Sequence, residues 1–331
     1  MSSQRPSGAQ TPDFAVCRDD DPVPPPLRGA VVAIGNFDGV HRGHRALIER
    51  AMALGGQIKR PCAVLTFEPH PRLVFAPDKP MFRLTTEPVK LAILAKLGLD
   101  GAFVRRFDRT FASTTAAEFV GALLKRDLGV AGVVVGHDFH FGRGREGTPA
   151  VLASLCREHG LICEVIAPVA QGGEPISSSA IRAALEDGGI ARANDLLGYR
   201  WFVEETVRHG DKRGRMLGFP TLNLGLDQCG LRHGIYAVRI ALPDGTVRDG
   251  VASFGRRPTF DNGEPLLEAH VFDFAGDLYG RRVRVEFVGW IRGEERFESA
   301  EALVARMQED ARLAPMILER AGTAQPESVI G

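Results

Sequence analysis

The sequence lacks the cysteine pattern of a disulfide-bonded or zinc-binding protein. Its five cysteines are scattered over 331 residues, and no two of them form a C-x-x-C pair. An odd number of cysteines without metal-ligand spacing is typical of reduced thiols that pack as small apolar side chains. We therefore expect a soluble intracellular protein located in the cytoplasm.

The sequence also lacks long apolar runs and an excess of charge of either sign. No run approaches the roughly 18 apolar residues that a membrane-spanning helix needs, and the N-terminus does not resemble a secretory signal. Lysine plus arginine and aspartate plus glutamate both number 41, so the formal net charge is zero. We expect neither a membrane nor a nucleic acid as partner, and phosphate binding must come from locally placed groups.

The composition divides the chain into three segments. Residues 1–28 are rich in serine, proline, glutamine and aspartate, and we expect them to form a disordered tail. Over residues 29–190, apolar runs alternate with segments of helical spacing, which predicts a Rossmann-like α/β domain with a doubly wound parallel sheet. Over residues 191–325, short β-rich runs between Gly, Pro and Asp turns predict a small antiparallel β-barrel with a C-terminal helix.

The strongest chemical pattern follows the first apolar run, Ala30 to Ile34. It reads Gly-Asn-Phe-Asp-Gly-Val-His-Arg-Gly-His over residues 35–44. His41 and His44 lie three residues apart in the first turn of a predicted helix, where free N–H groups and the helix dipole favour phosphate. Two surface histidines or a metal pair would have the same spacing, but the strand and the double-glycine turn favour a nucleotide-phosphate site.

Two further loops of this half carry groups suited to a nucleotide. Residues 136–145 follow a predicted strand and supply glycines, aromatic rings that can stack on a flat ligand, and two arginines. A run of three serines that starts at Ser177 precedes a helix with Arg182, and such groups can hold phosphate oxygens. Taken singly, a surface loop and an ordinary serine cap are the alternatives.

The second half contains a basic, glycine-rich segment from His209 to Asn223. Thr221 and Asn223 alternate along an extended stretch and so face one side, and a hydroxyl and an amide oxygen suit Mg²⁺. The segment has no Gly-x-x-x-x-Gly-Lys-Ser/Thr pattern, which excludes a P-loop kinase, and a basic hairpin is the alternative. Glu268 lies in an otherwise apolar strand, either as a salt-bridge partner or as a general base.

These motifs together resemble those of the bacterial bifunctional riboflavin kinase/FAD synthetases. In the first half, the resemblance rests on residues 35–44, the string Thr-Phe-Glu-Pro-His-Pro at 66–71, the loop at 136–142 and Ile-Ser-Ser-x-x-Ile-Arg at 176–182. In the second half, it rests on the Gly-Phe-Pro-Thr-x-Asn segment and on Leu-Glu-x-His around Glu268. It implies that the barrel phosphorylates riboflavin to FMN with ATP, and that the α/β domain adenylylates FMN to FAD.

The resemblance also implies roles for individual residues. In the adenylyltransferase, ATP is expected to contact Gly35, Asn36, Phe37, Asp38, His41, His44, Ser177, Ser178 and Arg182, with His41, His44 and Arg182 acting in catalysis. The loop with Asp138, Phe139 and Phe141 is expected to contact the flavin, with the adenine as the alternative. In the kinase, ATP is expected to contact Gly210, Lys212, Arg213, Gly214, Gly218, Pro220, Thr221 and Asn223. Mg²⁺ is the implied cofactor, with Thr221 and Asn223 as ligands and Glu268 as the base.

The chain departs from the family pattern at two places. Ser179 and Ala180 stand where Thr-Arg is usual, and Ser253 stands where Asn is more common. The alternatives to a bifunctional enzyme are an adenylyltransferase for another phosphorylated acceptor and a flavin-binding regulator with inactive sites. The attached kinase barrel argues against the first, and the filled catalytic positions argue against the second. We expect small-molecule partners and a monomer or weak homo-oligomer.

Overall fold

The structure is a computed structural model, which describes residues 14–79, 81–210, 214, 218–256 and 265–324. Within these residues the chain forms two compact units. The first comprises residues 14–79 and 87–175, and the second comprises residues 81–86 and 176–324. The domain limits expected from the sequence, at residues 28 and 190, stay predictions.

The first unit is an α/β domain with a six-stranded parallel sheet. Its strands are β1 (Ala15–Arg18), β2 (Val31–Ile34), β3 (Cys62–Glu68), β4 (Gly101–Arg106), β5 (Gly132–Gly136) and β6 (Ile162–Ile166). Their order in the sheet is β1-β4-β3-β2-β5-β6, and every pair is parallel. The central strands are almost wholly buried, which explains their continuous apolar sequence. The predicted Rossmann-like sheet is confirmed.

Helices connect these strands. They are α1 (Arg42–Ile58), α2 (Pro71–Phe75), α3 (Glu87–Lys96), α4 (Ala116–Glu118) with a π-helical continuation (Phe119–Asp127), and α5 (Pro149–Glu158). Short 3₁₀ turns lie at Pro25–Leu27, Phe111–Ser113 and Arg143–Arg145. A small hairpin of β7 (Ala170–Gln171) and β8 (Glu174–Pro175) ends the unit. No helix within the described residues combines the length and the apolar character that crossing a membrane requires.

The strand order places two loops where ligands usually bind. From β2 the chain moves outward through β3 to β4, and it then returns to the opposite side of β2 with β5. Ligands in such sheets bind beside this reversal, at the carboxyl ends of the strands. The loops at that place are residues 35–41 and residues 137–142, and both carry motifs singled out in the sequence.

The expectation of a disordered segment up to Arg28 is wrong for the part that the structure describes. Strand β1 pairs with β4, and the side chains of Cys17 and Leu27 are buried in the hydrophobic core of the first unit. Composition misses such a segment, because an existing sheet edge supplies the hydrogen bonds and two apolar anchors supply the burial. Residues 1–13 lie outside the described residues.

The second unit is a six-stranded antiparallel barrel. Its strands are β9 (Phe202–Thr206), β10 (Leu222–Gly225), β11 (Gly234–Ala241), β12 (Val247–Arg256), β13 (Pro265–Val271) and β14 (Arg282–Gly293). Their order is β10-β13-β12-β11-β14-β9. The two edge strands meet where the N–H of Arg208 donates to the carbonyl of Asn223 at 2.8 Å. The sheet is therefore nearly closed, as predicted.

The described residues of the second unit also form helices α6 (Ser178–Glu186), α7 (Ile190–Leu197) and α8 (Ala300–Ala324). Helix α8 is the predicted C-terminal helix, and its buried Ala314 and Leu318 pack against Ala237 and Val288 of the barrel. The guanidinium of Arg292 in β14 also donates to the Asp310 carboxylate of α8 at 2.6 to 3.2 Å. This buried ion pair fixes the helix on the barrel.

Candidate active sites

The loop after β2 turns sharply before α1 begins. The N–H of Gly35 still donates to the β3 carbonyl of Leu65 at 3.1 Å. Phe37, Gly39 and Val40 then have φ values of +50°, +82° and +37°, in the left-handed region that non-glycine residues avoid. The Phe37 and Val40 side chains are buried, so packing holds this unfavourable backbone. The loop therefore has a defined shape.

His41 and His44 form a stacked pair at the start of α1. The ring centroids are 3.6 Å apart with an interplanar angle of 16°. Nδ1 of His41 caps the helix by accepting the N–H of His44 at 3.3 Å. In the neutral ring this acceptor role leaves the proton on Nε2, which can then donate to a phosphate oxygen.

His44 is held in its neutral form. Burial of the imidazole, the neighbouring His41 and the ammonium of Lys90 all lower the pKa of His44 well below its ordinary value. Its Nδ1 is buried and has no hydrogen-bond partner among the described residues. Within that same part of the chain, no group of three or more His, Cys, Asp or Glu could hold a metal ion. The stacked, neutral pair is suited to hydrogen bonding with a ligand.

The loop after β5 presents two of its three predicted flavin contacts to the surface. Asp138 is exposed and Phe139 is half-buried. Phe141, in contrast, is buried, with its ring 5.0 Å from Phe119 and 5.4 Å from Phe139. Phe141 belongs to the hydrophobic core, and the Phe139 ring packs against this core.

Sequence reasoning missed an exposed aromatic ring in α2. Phe75 is 67% exposed, and its ring lies 5.6 Å from that of Phe107. Phe75 therefore presents an exposed aromatic ring on the surface of the first unit. The Thr-Phe-Glu-Pro-His-Pro string ends at the first residue of α2, and this position was the signal that could have identified Phe75.

The serine motif begins α6 in the second unit. Ser177 caps this helix, since its hydroxyl oxygen accepts the N–H of Ala180 at 3.2 Å. Nε of Arg182 donates to the carbonyl of Phe82 at 2.6 Å, which fixes the direction of the guanidinium. Ser178 is the first residue of the helix. The phosphate contacts expected of Ser177, Ser178 and Arg182 stay predictions.

The barrel aligns three polar residues that are far apart in the sequence. Asn223 of β10 pairs with Glu268 of β13, and Glu268 pairs on its other side with Ser253 of β12. Directly opposite residues in antiparallel strands carry their side chains on the same face. An amide, a carboxylate and a hydroxyl therefore form one row across the sheet.

The glycine-rich segment lies close to this row. A Cβ added at Gly210 would lie 2.5 to 2.8 Å from the amide atoms of Asn223, so a side chain at this position would displace that amide. Oδ1 of Asn223 is buried and has no hydrogen-bond partner within the part of the chain that the structure describes. Thr221 is half-buried and directly precedes β10. A buried amide oxygen without a partner, two residues from a hydroxyl, fits a hard cation such as Mg²⁺.

The other residues predicted to contact ATP in this segment are described by their backbone geometry and hydrogen bonds. The carbonyl of Gly214 accepts the N–H of Phe219 at 2.7 Å, and Gly218 has a left-handed φ of +84°. The carbonyl of Pro220 accepts Nδ1–H of His270 at 2.9 Å. The predicted cations Lys212 and Arg213 lie outside the described residues.

Two family models match this chain in succession. One described as FAD synthetase matches residues 23–180, and one described as riboflavin kinase matches residues 197–318. The "Bifunctional riboflavin kinase/FMN adenylyltransferase" of Escherichia coli (strain K12) is 43% identical over 286 residues, which cover 86% of this chain and 91% of the relative. The protein of the same name from Bacillus subtilis (strain 168) is 35% identical, over 85% of this chain and 90% of the relative.

A solved structure shows the same two-part architecture. It is a crystal structure named "Macrolide-efflux Protein from Streptococcus pneumoniae", with a TM-score of 0.82 and 30% sequence identity. The similarity covers 91% of this chain and 98% of that chain. The fold is therefore shared along nearly the full length of both proteins.

Proposed function

Because this chain belongs to the family of bifunctional riboflavin kinase/FMN adenylyltransferases, we propose how its residues divide two reactions between them. The protein phosphorylates riboflavin to FMN, and it transfers AMP from ATP to FMN, which yields FAD and pyrophosphate. The observation that carries this function is the succession of two family matches along one chain.

In the barrel, Glu268 acts as the general base of riboflavin phosphorylation. Its carboxylate takes the proton of the riboflavin 5′-hydroxyl while that oxygen attacks the γ-phosphorus of ATP and the bond to the leaving ADP breaks. The row of Ser253, Glu268 and Asn223 supports this role, because it sets the carboxylate beside the proposed nucleotide site. The alternative role of Glu268, as a salt-bridge partner at the rim of the barrel, would not require Ser253 and Asn223 beside it.

Thr221 and Asn223 would hold Mg²⁺ in this unit. The support is the buried Oδ1 of Asn223, which is without a partner among the described residues. When bound, Mg²⁺ neutralises charge that develops on the ATP phosphates. Gly210 leaves room for the backbone to approach, and Gly214, Gly218 and Pro220 continue the phosphate-binding segment together with Lys212 and Arg213. In this proposal Thr221 and Asn223 supply oxygen ligands to the metal ion, and Lys212 and Arg213 supply positive charge to the phosphates.

In the adenylyltransferase, His41 and His44 contact the ATP phosphates. An FMN phosphate oxygen attacks the α-phosphorus of ATP, and the bond to pyrophosphate breaks. Because two anions approach each other, this step needs alignment and charge neutralisation and no general base. Nε2–H of His41 supplies a donor, the neutral His44 supplies a second polar group, and Arg182 supplies a cation.

The remaining nucleotide contacts come from two segments. Gly35, Asn36, Phe37 and Asp38 line the nucleotide site at the reversal of the sheet, and Ser177 and Ser178 bind the triphosphate. A single FAD synthetase match, residues 23–180, includes both segments, which supports their assignment to one activity. Asp138 and Phe139 seat the flavin, with Phe141 beneath them and the exposed Phe75 as a further aromatic surface.

We further propose that the protein works in the cytoplasm, as a monomer or weak homo-oligomer, on small molecules alone. All five cysteines are free thiols, which supports a reducing compartment. Equal numbers of acidic and basic residues leave no net charge to attract a nucleic acid or a membrane surface.

One assay tests the function. The protein is incubated with riboflavin, ATP and Mg²⁺, and FMN and FAD are separated by chromatography over time. We expect FMN to appear first and FAD to follow. A protein that forms neither flavin would be a regulator with inactive sites, and FMN without FAD would contradict the adenylylation assignment.

A further inference from the structure

A buried lysine of α3 contacts the backbone of the loop after β2. This loop, residues 35–41, is the nucleotide loop of the first unit. Lys90 is 1% exposed. Its ammonium group donates to the Glu68 carboxylate at 2.7 Å, the Thr66 hydroxyl at 3.0 Å and the carbonyl of Asn36 at 3.2 Å. Lysine is almost never this buried unless it is paired, and here the pair is Glu68, whose side chain is 12% exposed.

Two donors converge on the same carbonyl. The Thr66 hydroxyl accepts from Lys90 and itself donates to the carbonyl of Asn36 at 3.2 Å. Asn36 directly precedes Phe37, where the loop first enters the left-handed region. The network therefore fixes the chain at the residue where the loop leaves the strand direction.

Stability alone does not account for this arrangement. A buried ion pair often contributes no more to stability than apolar side chains of the same volume, because both charges must be desolvated. Its more specific effect is to hold polar partners in one geometry. Here the partner that is held is a main-chain group of the proposed ATP site.

The charge of Lys90 also affects the pKa of His44, the second histidine of the motif. The groups that act on the His44 imidazole are His41 of the same helical turn and Lys90 of α3, whose own partner is Glu68. Burial of the imidazole has the largest effect on the pKa of His44, and His41 and Lys90 lower that pKa further. Lys90 thus touches the loop backbone and also affects the protonation of His44.

We infer that Lys90, paired with Glu68, is a positioning residue for FMN adenylylation, which holds the Asn36 carbonyl and keeps the nucleotide loop in its binding shape. This inference rests on the proposed function of that loop. Lys90 touches no reacting group, so its effect passes through Asn36 and His44.

The two activities of the chain allow a controlled test with Lys90→Met, which removes the charge and keeps the side-chain length. Adenylylation is measured with supplied FMN, and phosphorylation with riboflavin. We expect kcat/KM for adenylylation to fall by about 100-fold, since small misplacements of binding groups have effects of that size. Riboflavin phosphorylation should keep its wild-type rate. Lys96→Met, an exposed position on the same helix, is the matched control and should leave both activities unchanged.

A double variant separates positioning from stability. Lys90→Met alone leaves Glu68 buried without its cation, so the first unit loses stability as well. Glu68→Gln with Lys90→Met removes both charges, and we expect the thermal midpoint to recover while adenylylation stays low. Recovery of adenylylation together with the midpoint would overturn the inference, because Lys90 would then only neutralise Glu68.

The pH profile gives a readout that a structural role would not move. Without the charge of Lys90 the pKa of His44 rises, so the acidic limb of the adenylylation profile should move to higher pH in Lys90→Met. An acidic limb at the wild-type position would contradict the inference that the charge of Lys90 lowers the pKa of His44. If wild-type protein makes FAD and Lys90→Met makes it equally well, only this inference fails, whereas a wild-type protein without FAD formation contradicts the proposed function itself.

Discussion

At the scale of single residues, both sites contain a buried polar atom that the described protein groups leave unused. These atoms are Nδ1 of His44 and Oδ1 of Asn223. An unsatisfied buried polar group costs about 1–3 kcal/mol, so such atoms are expected where a ligand completes the hydrogen bonding. Of the buried side-chain atoms without a partner among the described residues, these two lie at the motifs that we assign to ATP and Mg²⁺.

Replacing Glu268 should separate the two reactions. In Glu268→Gln the shape is kept and the base is lost, so riboflavin phosphorylation should fall by about 10²- to 10⁴-fold. Adenylylation of supplied FMN should continue at the wild-type rate. Both rates are measured by chromatography, with Glu298→Gln at an exposed carboxylate as control. Phosphorylation at the wild-type rate in Glu268→Gln would show that another group takes the proton.

The capping role of His41 allows its chemistry to be tested without losing the helix start. Asparagine is a good N-cap, so His41→Asn keeps an acceptor for the His44 N–H and removes the Nε2 donor. We expect the thermal midpoint to stay near the wild-type value and FAD formation to fall by about 10² or more. The comparison with His41→Ala, which loses both functions, distinguishes capping from phosphate binding. Normal FAD formation in His41→Asn would exclude a catalytic donor here.

At the scale of elements, two segments of the chain are stabilised mainly by packing against a neighbouring element. Strand β1 has four residues and is held by pairing with β4. Helix α8 is held on the barrel by apolar packing and by the Arg292–Asp310 pair, whose side chains are 10% and 4% exposed. The pairing of β1 was not expected from the sequence, because its partner strand lies far away in the chain, whereas helix α8 was predicted.

The buried ion pair under α8 gives a stability prediction. Asp310→Ala leaves the Arg292 guanidinium buried without its carboxylate, which should lower the unfolding free energy by about 3–5 kcal/mol. Urea unfolding followed by tryptophan fluorescence measures this, since Trp201 and Trp290 both belong to the second unit. Glu309→Ala, which breaks the more exposed pair with Arg312, should leave the urea midpoint unchanged. Equal midpoints for the two variants would mean that the Arg292–Asp310 pair does not hold the helix.

At the scale of the whole molecule, the two units can be followed separately in the intact chain. Both tryptophans and all three tyrosines lie at residue 199 or beyond, so fluorescence reports the second unit while far-ultraviolet circular dichroism reports both. This difference makes the acid sensitivity of the first unit measurable without dividing the protein.

His44 should make the first unit less stable in acid. Its pKa is well below the ordinary 6.5 in the folded protein, so below about pH 6.5 the unfolded chain binds a proton that the folded chain does not. Stability is therefore full above that pH and decreases as the pH falls towards the folded pKa. His44→Gln should reduce the loss of the circular-dichroism midpoint between pH 7 and pH 5. An identical loss in both proteins would show that other groups govern the acid limit.

Local pattern was sufficient for much of this protein. The β-α alternation, the barrel strands, helix α6 and the phosphate motifs were predicted from the sequence, because apolar periodicity, glycine turns and capping residues act over a few neighbouring positions. The resemblance that those motifs carry also identified both reactions, which the two family matches confirm.

Only the tertiary structure decided which distant residues meet. The row of Asn223, Glu268 and Ser253 depends on the register of three strands. The contact of Lys90 with Asn36 depends on how α3 packs beneath the loop after β2. The physical reason is that strand order and helix packing are set by the burial of the whole core, whereas a sequence pattern reports only on nearby residues.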